Sequence, residues 1–67
     1  MEKQELIGMT TEAAKRYCEE HGRVLRVVTM DDYPCIITHD MNADRINVAV
    51  RLNNSGQYVV TQIAGVY

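Results

Sequence analysis

From Arg45 to Leu52 the chain alternates with a period of two: Ile46, Val48, Val50 and Leu52 fall on one side, Arg45, Asn47, Ala49 and Arg51 on the other. An extended strand with one face in a core and one face toward polar surroundings produces this period. Such a strand cannot stand alone, because its apolar side needs a cover and its backbone needs partners. The next residues supply one partner. Asn53-Asn54-Ser55-Gly56 has the composition of a turn, and Gln57 to Ile63 resumes the strand pattern, which predicts a hairpin. Upstream, the β-branched run Val24-Leu25-Arg26-Val27-Val28-Thr29-Met30 predicts a further, largely buried strand.

The cover is a helix. Thr10 is a good N-cap, and Glu12 lies in the first turn, where the helix dipole favours a carboxylate. A helix is expected from about Thr11 to Glu20. Ala14, Tyr17, Cys18 and His21 share one face of it, and Gly22 offers the left-handed stop. Leu6 and Ile7 anchor the segment before it. With 67 residues, 46% of them apolar and neither Trp nor Phe among them, the chain has room for one domain, residues 1–67, with a thin aliphatic core. The expectation is an α+β domain, one helix on a small sheet. A deep catalytic cleft would remove core that so short a chain needs, so binding is expected and an enzyme is not.

Seven Lys and Arg against nine Asp and Glu give a formal charge of −2. The signs are interleaved, with no basic run to follow a phosphate backbone, so nucleic acid is not an expected partner. No stretch approaches the roughly 20 apolar residues that span a bilayer, and Met1 to Glu5 lacks a signal-peptide pattern. As written, the sequence reads as cytoplasmic, or as secreted if a leader has been removed. Cys18 and Cys35 lack the spacing of a zinc or Cys-x-x-Cys site, and His21 and His39 do not complete a ligand set. No metal or cofactor is expected, and the two thiols are read as free. His21 is expected at the helix C-terminus, where the dipole favours it.

Between the two main strands, Asp31 to Asp44 shows no sustained period beyond Cys35-Ile36-Ile37. Tyr33 and Pro34 read as a turn that opens it. Connections of this length in compact domains are uncommon and are usually functional or disordered. A His beside an Asp suggests acid–base chemistry, but neighbours on an extended segment point to opposite sides, and no nucleophile is indicated.

Taken in order, Leu6-Ile7-Gly8, the capped helix, Ile37-Thr38-His39-Asp40-Met41-Asn42-Ala43-Asp44-Arg45-Ile46 and the alternating strand resemble the potato inhibitor I family of serine protease inhibitors. The likeness covers almost the whole chain and resides in the ordered set of features. It implies a helix on a small mixed β-sheet with a long exposed binding loop, and Val24–Met30 parallel to Arg45–Leu52. By the same likeness Ile36, Ile37, Thr38, His39, Asp40, Met41 and Asn42 form the protease-binding loop. His39–Asp40 is then the reactive bond. The family braces this loop with hydrogen bonds from arginines on the strand below to the Thr and the acidic residue, and Arg45 matches one of them.

Two positions depart from that pattern. Asn47 stands where relatives carry a second bracing Arg, so the likeness implies a softer loop, and it implies that Asn47→Arg would firm it. Arg51 is no substitute, since six residues at about 3.3 Å each put it roughly 20 Å from Arg45. His39 matches neither the basic nor the large apolar side chain that common serine-protease pockets take, so the target is not named by the sequence. Met41 reads equally as a contact beyond the reactive bond or as filler, and Asp44 as a partner of Arg45 or a loop cap. The expected partner is a serine protease. The competing expectation is a cytoplasmic bacterial or phage interaction module that binds another protein or a small ligand on the same scaffold, or self-assembles, the chain being a monomer or weak homo-oligomer.

Overall fold

The computed structural model describes residues 2–38 and 40–67. One helix packs on a four-stranded mixed sheet, an α+β arrangement. A 3₁₀ turn at Lys3–Leu6 precedes helix α1 (Thr11–Glu20), then come strands β1 (Val24–Met30), β2 (Tyr33–Pro34), β3 (Arg45–Leu52) and β4 (Tyr58–Val66). The sheet order is β2-β1-β3-β4.

Thr10 caps α1 as its sequence position predicts: its side chain accepts from Ala13 N at 3.2 Å. The helix ends at His21, whose amide donates to the main-chain oxygens of Cys18 and Glu19, and Gly22 follows at φ 69°. The His21 ring returns to the Tyr17 carbonyl, with Nδ1 2.8 Å from it. The buried face is Ala14 and Cys18. Both press on Ile46, Val48 and Val50 of β3, joined by Leu6 and Val60. Each of these larger aliphatic side chains contributes about 1.5–3 kcal/mol by leaving water. Burial pushes the Cys18 thiol above its usual pKa, and both Cys18 and the half-buried Cys35 are free.

β1 and β3 run parallel, pairing Val24 with Arg45, Leu25 with Ile46, Arg26 with Asn47 and Val27 with Val48. A bulge follows at Val28. β3 and β4 form the antiparallel hairpin expected across Asn53 to Gly56, though β4 extends beyond Ile63 to Val66. On the outer side of β4, Gly8 N donates to Val60 O and Val60 N donates to Met9 O, each at 2.8 Å. That stretch of edge is thereby occupied by the N-terminal segment.

Tyr33 and Pro34 were expected to be a turn, and the structure corrects this: they are a strand, antiparallel to β1, pairing with Met30 and Thr29. The turn is Asp31-Asp32, both at positive φ (51° and 69°), the conformation a two-residue hairpin needs. Aspartate adopts this region more readily than most residues, and Asp31 Oδ1 is further held by a bond across the sheet, accepting from Leu52 N of β3 at 2.9 Å. Pro34 lacks an N–H and sits on an edge strand, where that omission leaves no ladder bond open. The expected loop of Asp31 to Asp44 is therefore shortened at its start. Residues 35–38 and 40–44 carry neither helix nor strand.

Ile46 is fully buried beneath the helix. Ile46→Ala should lower the unfolding free energy by about 2–5 kcal/mol in urea titration, whereas Thr10→Ala, which removes only the cap, should lower it by about 1 kcal/mol.

Candidate functional site

Pairing in register places Arg26 of β1 beside Asn47 of β3 on the sheet face opposite α1, with Arg45 one pleat position earlier on β3. Of these, Arg26 and Arg45 meet the connecting segment, on either side of position 39. His39 itself, and with it the geometry of the expected His39–Asp40 bond, lies outside the described residues.

Arg45 is buried to 9% exposure despite its charge. Its Nη2 donates to the Asp40 main-chain oxygen at 2.9 Å, its Nη1 to Asp40 Oδ2 at 3.3 Å, and its Nε to the main-chain oxygen of Tyr67 at 3.0 Å. The fixed fork of a guanidinium makes three such bonds compatible with one rotamer. The expected partners of Arg45 were Thr38 and Asp40, and only Asp40 is reached. Thr38 is held by Arg26, whose Nη1 donates to Thr38 O at 3.2 Å and to Thr38 Oγ1 at 3.3 Å. Thr38 Oγ1 in turn donates to Asp40 Oδ1, closing a bridge across position 39.

Asn47 was read as a weakened brace. It is instead fully buried, and among the described residues its side chain makes no hydrogen bond to the segment. Its Nδ2 donates to Gly65 O at 3.3 Å and Tyr67 O at 3.2 Å, and its Oδ1 accepts from Arg26 Nε at 2.6 Å. Both amide hydrogens are committed to β4 and its continuation, so the oxygen must face Arg26. The guanidinium that does the work comes from the neighbouring strand. Reading β3 alone could not find it. The signal available in the sequence was a charged residue inside an otherwise apolar strand, Arg26 among Val24, Leu25, Val27 and Val28.

Asp40 lies 59% exposed at its side chain, so its ion pair with Arg45 is only half shielded from water. The hydroxyl of Thr38, the guanidinium of Arg45 and Asp40's own backbone amide hold its pKa at about 2. Ile36 and Met41 project fully into solvent, at 104% and 83% exposure. Ile37 and Asn42 are half-buried. Asn42, not Asp44, caps the re-entry into β3: its Oδ1 accepts from Asp44 N at 2.9 Å and its main-chain oxygen from Arg45 N at 3.2 Å. Arg51 pairs with Asp32 at the far end of β3 and takes no part.

Among the described residues no group of three or more His, Cys, Asp or Glu could hold a metal ion. Among the same residues no helix is long and apolar enough to cross a membrane. Comparison with family models, curated proteins and solved structures gave no match.

Three outcomes follow from this geometry. The folded pKa of Asp40 lies below its unfolded value, so its stabilisation is complete above about pH 4 and is lost as pH falls through about 2. Carboxyl-carbon NMR titration should give a midpoint near 2, displaced upward in Arg45→Ala. The same variant should be cut faster between Thr38 and Asn42 by a broad-specificity protease, while the β3 amides of Val48 and Val50 keep most of their protection from exchange. Asn47→Arg should loosen the segment, contrary to the expectation from likeness, because a second guanidinium would enter a filled site beside Arg26. Faster cleavage of that variant checks it.

Proposed function

We propose that this chain is a serine-protease inhibitor-like binding domain that occupies its target stoichiometrically and is not an enzyme. Ile36, Ile37, Thr38, His39, Asp40, Met41 and Asn42 are the substrate-like segment, with His39–Asp40 as the reactive bond. The observation that carries this reading is that guanidiniums from two adjacent strands hold the residue on each side of position 39, Arg26 holding Thr38 and Arg45 holding Asp40.

Fixing the backbone of a free segment on docking costs about 1–2 kcal/mol per residue. A segment already tied to the sheet loses less, and binding tightens accordingly. Tethers on both sides of one bond have a second consequence. If the bond is cut, the new ends stay close together and the reverse reaction remains fast. Arg45 reaches the main-chain oxygen of Asp40 as well as its carboxylate, so the far side of the bond is anchored by backbone. Ile36 and Met41, both solvent-exposed, are free to enter apolar pockets of a partner on either side of the bond. The ordered likeness to the potato inhibitor I family supports the same reading.

The exposure of Ile36 and Met41 equally suits the second reading, an interaction module that docks a different protein on this scaffold. Titration against proteases of the trypsin, chymotrypsin, elastase and subtilisin types, with mass spectrometry of the segment, separates the two. Inhibition of at least one type, accompanied by a single slow cut between His39 and Asp40, is the expected result. Four unaffected proteases and an uncut bond would transfer the segment to the interaction module.

A further inference from the structure

Tyr67 follows β4, and its main-chain oxygen accepts from both Arg45 Nε, at 3.0 Å, and Asn47 Nδ2, at 3.2 Å. The Arg26 guanidinium lies over the Tyr67 ring, its carbon 5.7 Å from the ring centre. That is within the range of a cation–π contact. Arg26 Nη2 is buried and has no hydrogen-bond acceptor among the described residues, so the electron-rich face of the ring is the favourable surface offered to this side of the guanidinium. A single residue therefore touches all three side chains of the bracket, two through its main-chain oxygen and one through its ring.

The seat of the ring is itself specific. Gly65 has φ 152°, and a Cβ built there would lie 2.9 Å from Cε1 and 3.2 Å from Cδ1 of Tyr67. The ring thus lies against the glycine, and a methyl group would push it away from its place beside Arg26. Gly65 and the Arg26 guanidinium are both neighbours of the Tyr67 ring. Asn47 links the same three residues, bonded to Gly65 O and Tyr67 O through Nδ2 and to Arg26 Nε through Oδ1.

We infer that Tyr67 is a positioning residue for the Thr38–Asp40 segment: it sets the orientation of Arg26 and Arg45 and so couples the end of β4 to the segment across the sheet. The inference rests on the proposed function only for the purpose of the segment. Its geometry stands on the contacts above. Arg45 and Asn47 need the main-chain oxygen, which any residue at position 67 can supply if it stays docked. Arg26 needs the ring, so the side chain is the part a substitution can test.

The experiment compares Tyr67→Ala, Tyr67→Phe and Gly65→Ala in the full chain by three measurements: cleavage between Thr38 and Asn42 by a broad-specificity protease, ¹⁵N relaxation at Thr38, Asp40 and Met41, and the Arg26 Nε–H resonance. Tyr67→Ala should raise the cleavage rate by about two- to fivefold, the factor that a cation–π contact of about 0.5–1 kcal/mol corresponds to. It should also lower the order parameters of the segment and remove the ring-current shift from Arg26 Nε–H. Tyr67→Phe keeps the ring and should match the parent in all three. Gly65→Ala should move in the direction of Tyr67→Ala. Amide exchange of Val48 and Val50 serves as the internal control. Segment dynamics and cleavage unchanged in Tyr67→Ala would overturn the inference. So would a rise in cleavage matched by an equal rise in β3 exchange, since that would be general destabilisation. None of these measurements needs an inhibited protease, so a failure of the inhibitor reading leaves this test intact, and a failure here leaves protease inhibition to be judged separately.

Discussion

Two parallel strands that start at the same end of a sheet oblige the chain between them to travel back, and the pairing of Val24–Val27 with Arg45–Val48 imposes that journey here. In most folds a helix makes the return and buries its own backbone groups. This chain first doubles back beside β1, as β2, and then crosses toward β3 with residues that have neither helix nor strand to hold them. Such a crossing has to be secured by side chains of the sheet it passes. The same register that creates the problem also answers it, because it sets Arg26 directly beside Asn47, with Arg45 nearby.

The polar cluster on that face is the counterpart of the helix on the other. Ile46, Val48 and Val50 are held by nondirectional burial against Ala14 and Cys18. Asn47, equally buried, is held by directed bonds. Burying a charge such as that of Arg45 is unfavourable unless its donors are matched, and the oxygens of Asp40 and Tyr67 match all three donor positions used. Arg26 Nη2 is buried with no acceptor among the described residues, and the Tyr67 ring is the surface it meets in place of one. The bonds that tether Thr38 and Asp40, on either side of position 39, come from the same guanidiniums. That is the physical link from fold to the proposed binding role.

Position 47 illustrates how likeness in sequence misleads when a role is carried by a geometry. Compared along β3 with the family the sequence resembles, Asn47 stands where a second arginine is expected. Viewed across the sheet, it is the residue that turns an arginine of β1 toward Thr38. Asn47 and Arg26 lie 21 positions apart in the chain and are adjacent in the register. The hairpin at Asp31-Asp32 was missed for a different reason. Its backbone conformation is usual for Asn-Gly or Asp-Gly, and two aspartates carry that signal weakly, so a two-residue strand disappeared into what looked like open connection.

The elements themselves were legible from local chemistry. The bounds of α1, β1 and β3 follow from a cap, a stop and a period, all of which act between residues near in sequence, and the α+β class follows from the need of one apolar strand face for a cover. Arg45 was expected as a brace from the family likeness, and it does reach Asp40, five positions before it in the chain. Only the tertiary structure decided which donor holds Thr38, what Asn47 is for and why Gly65 and Tyr67 belong to the site, since each depends on strands brought side by side. Periodicity reports which face a side chain takes; it carries no information on which strand will lie beside it, and apart from Arg45 with Asp40 the contacts of the site are made between such neighbours.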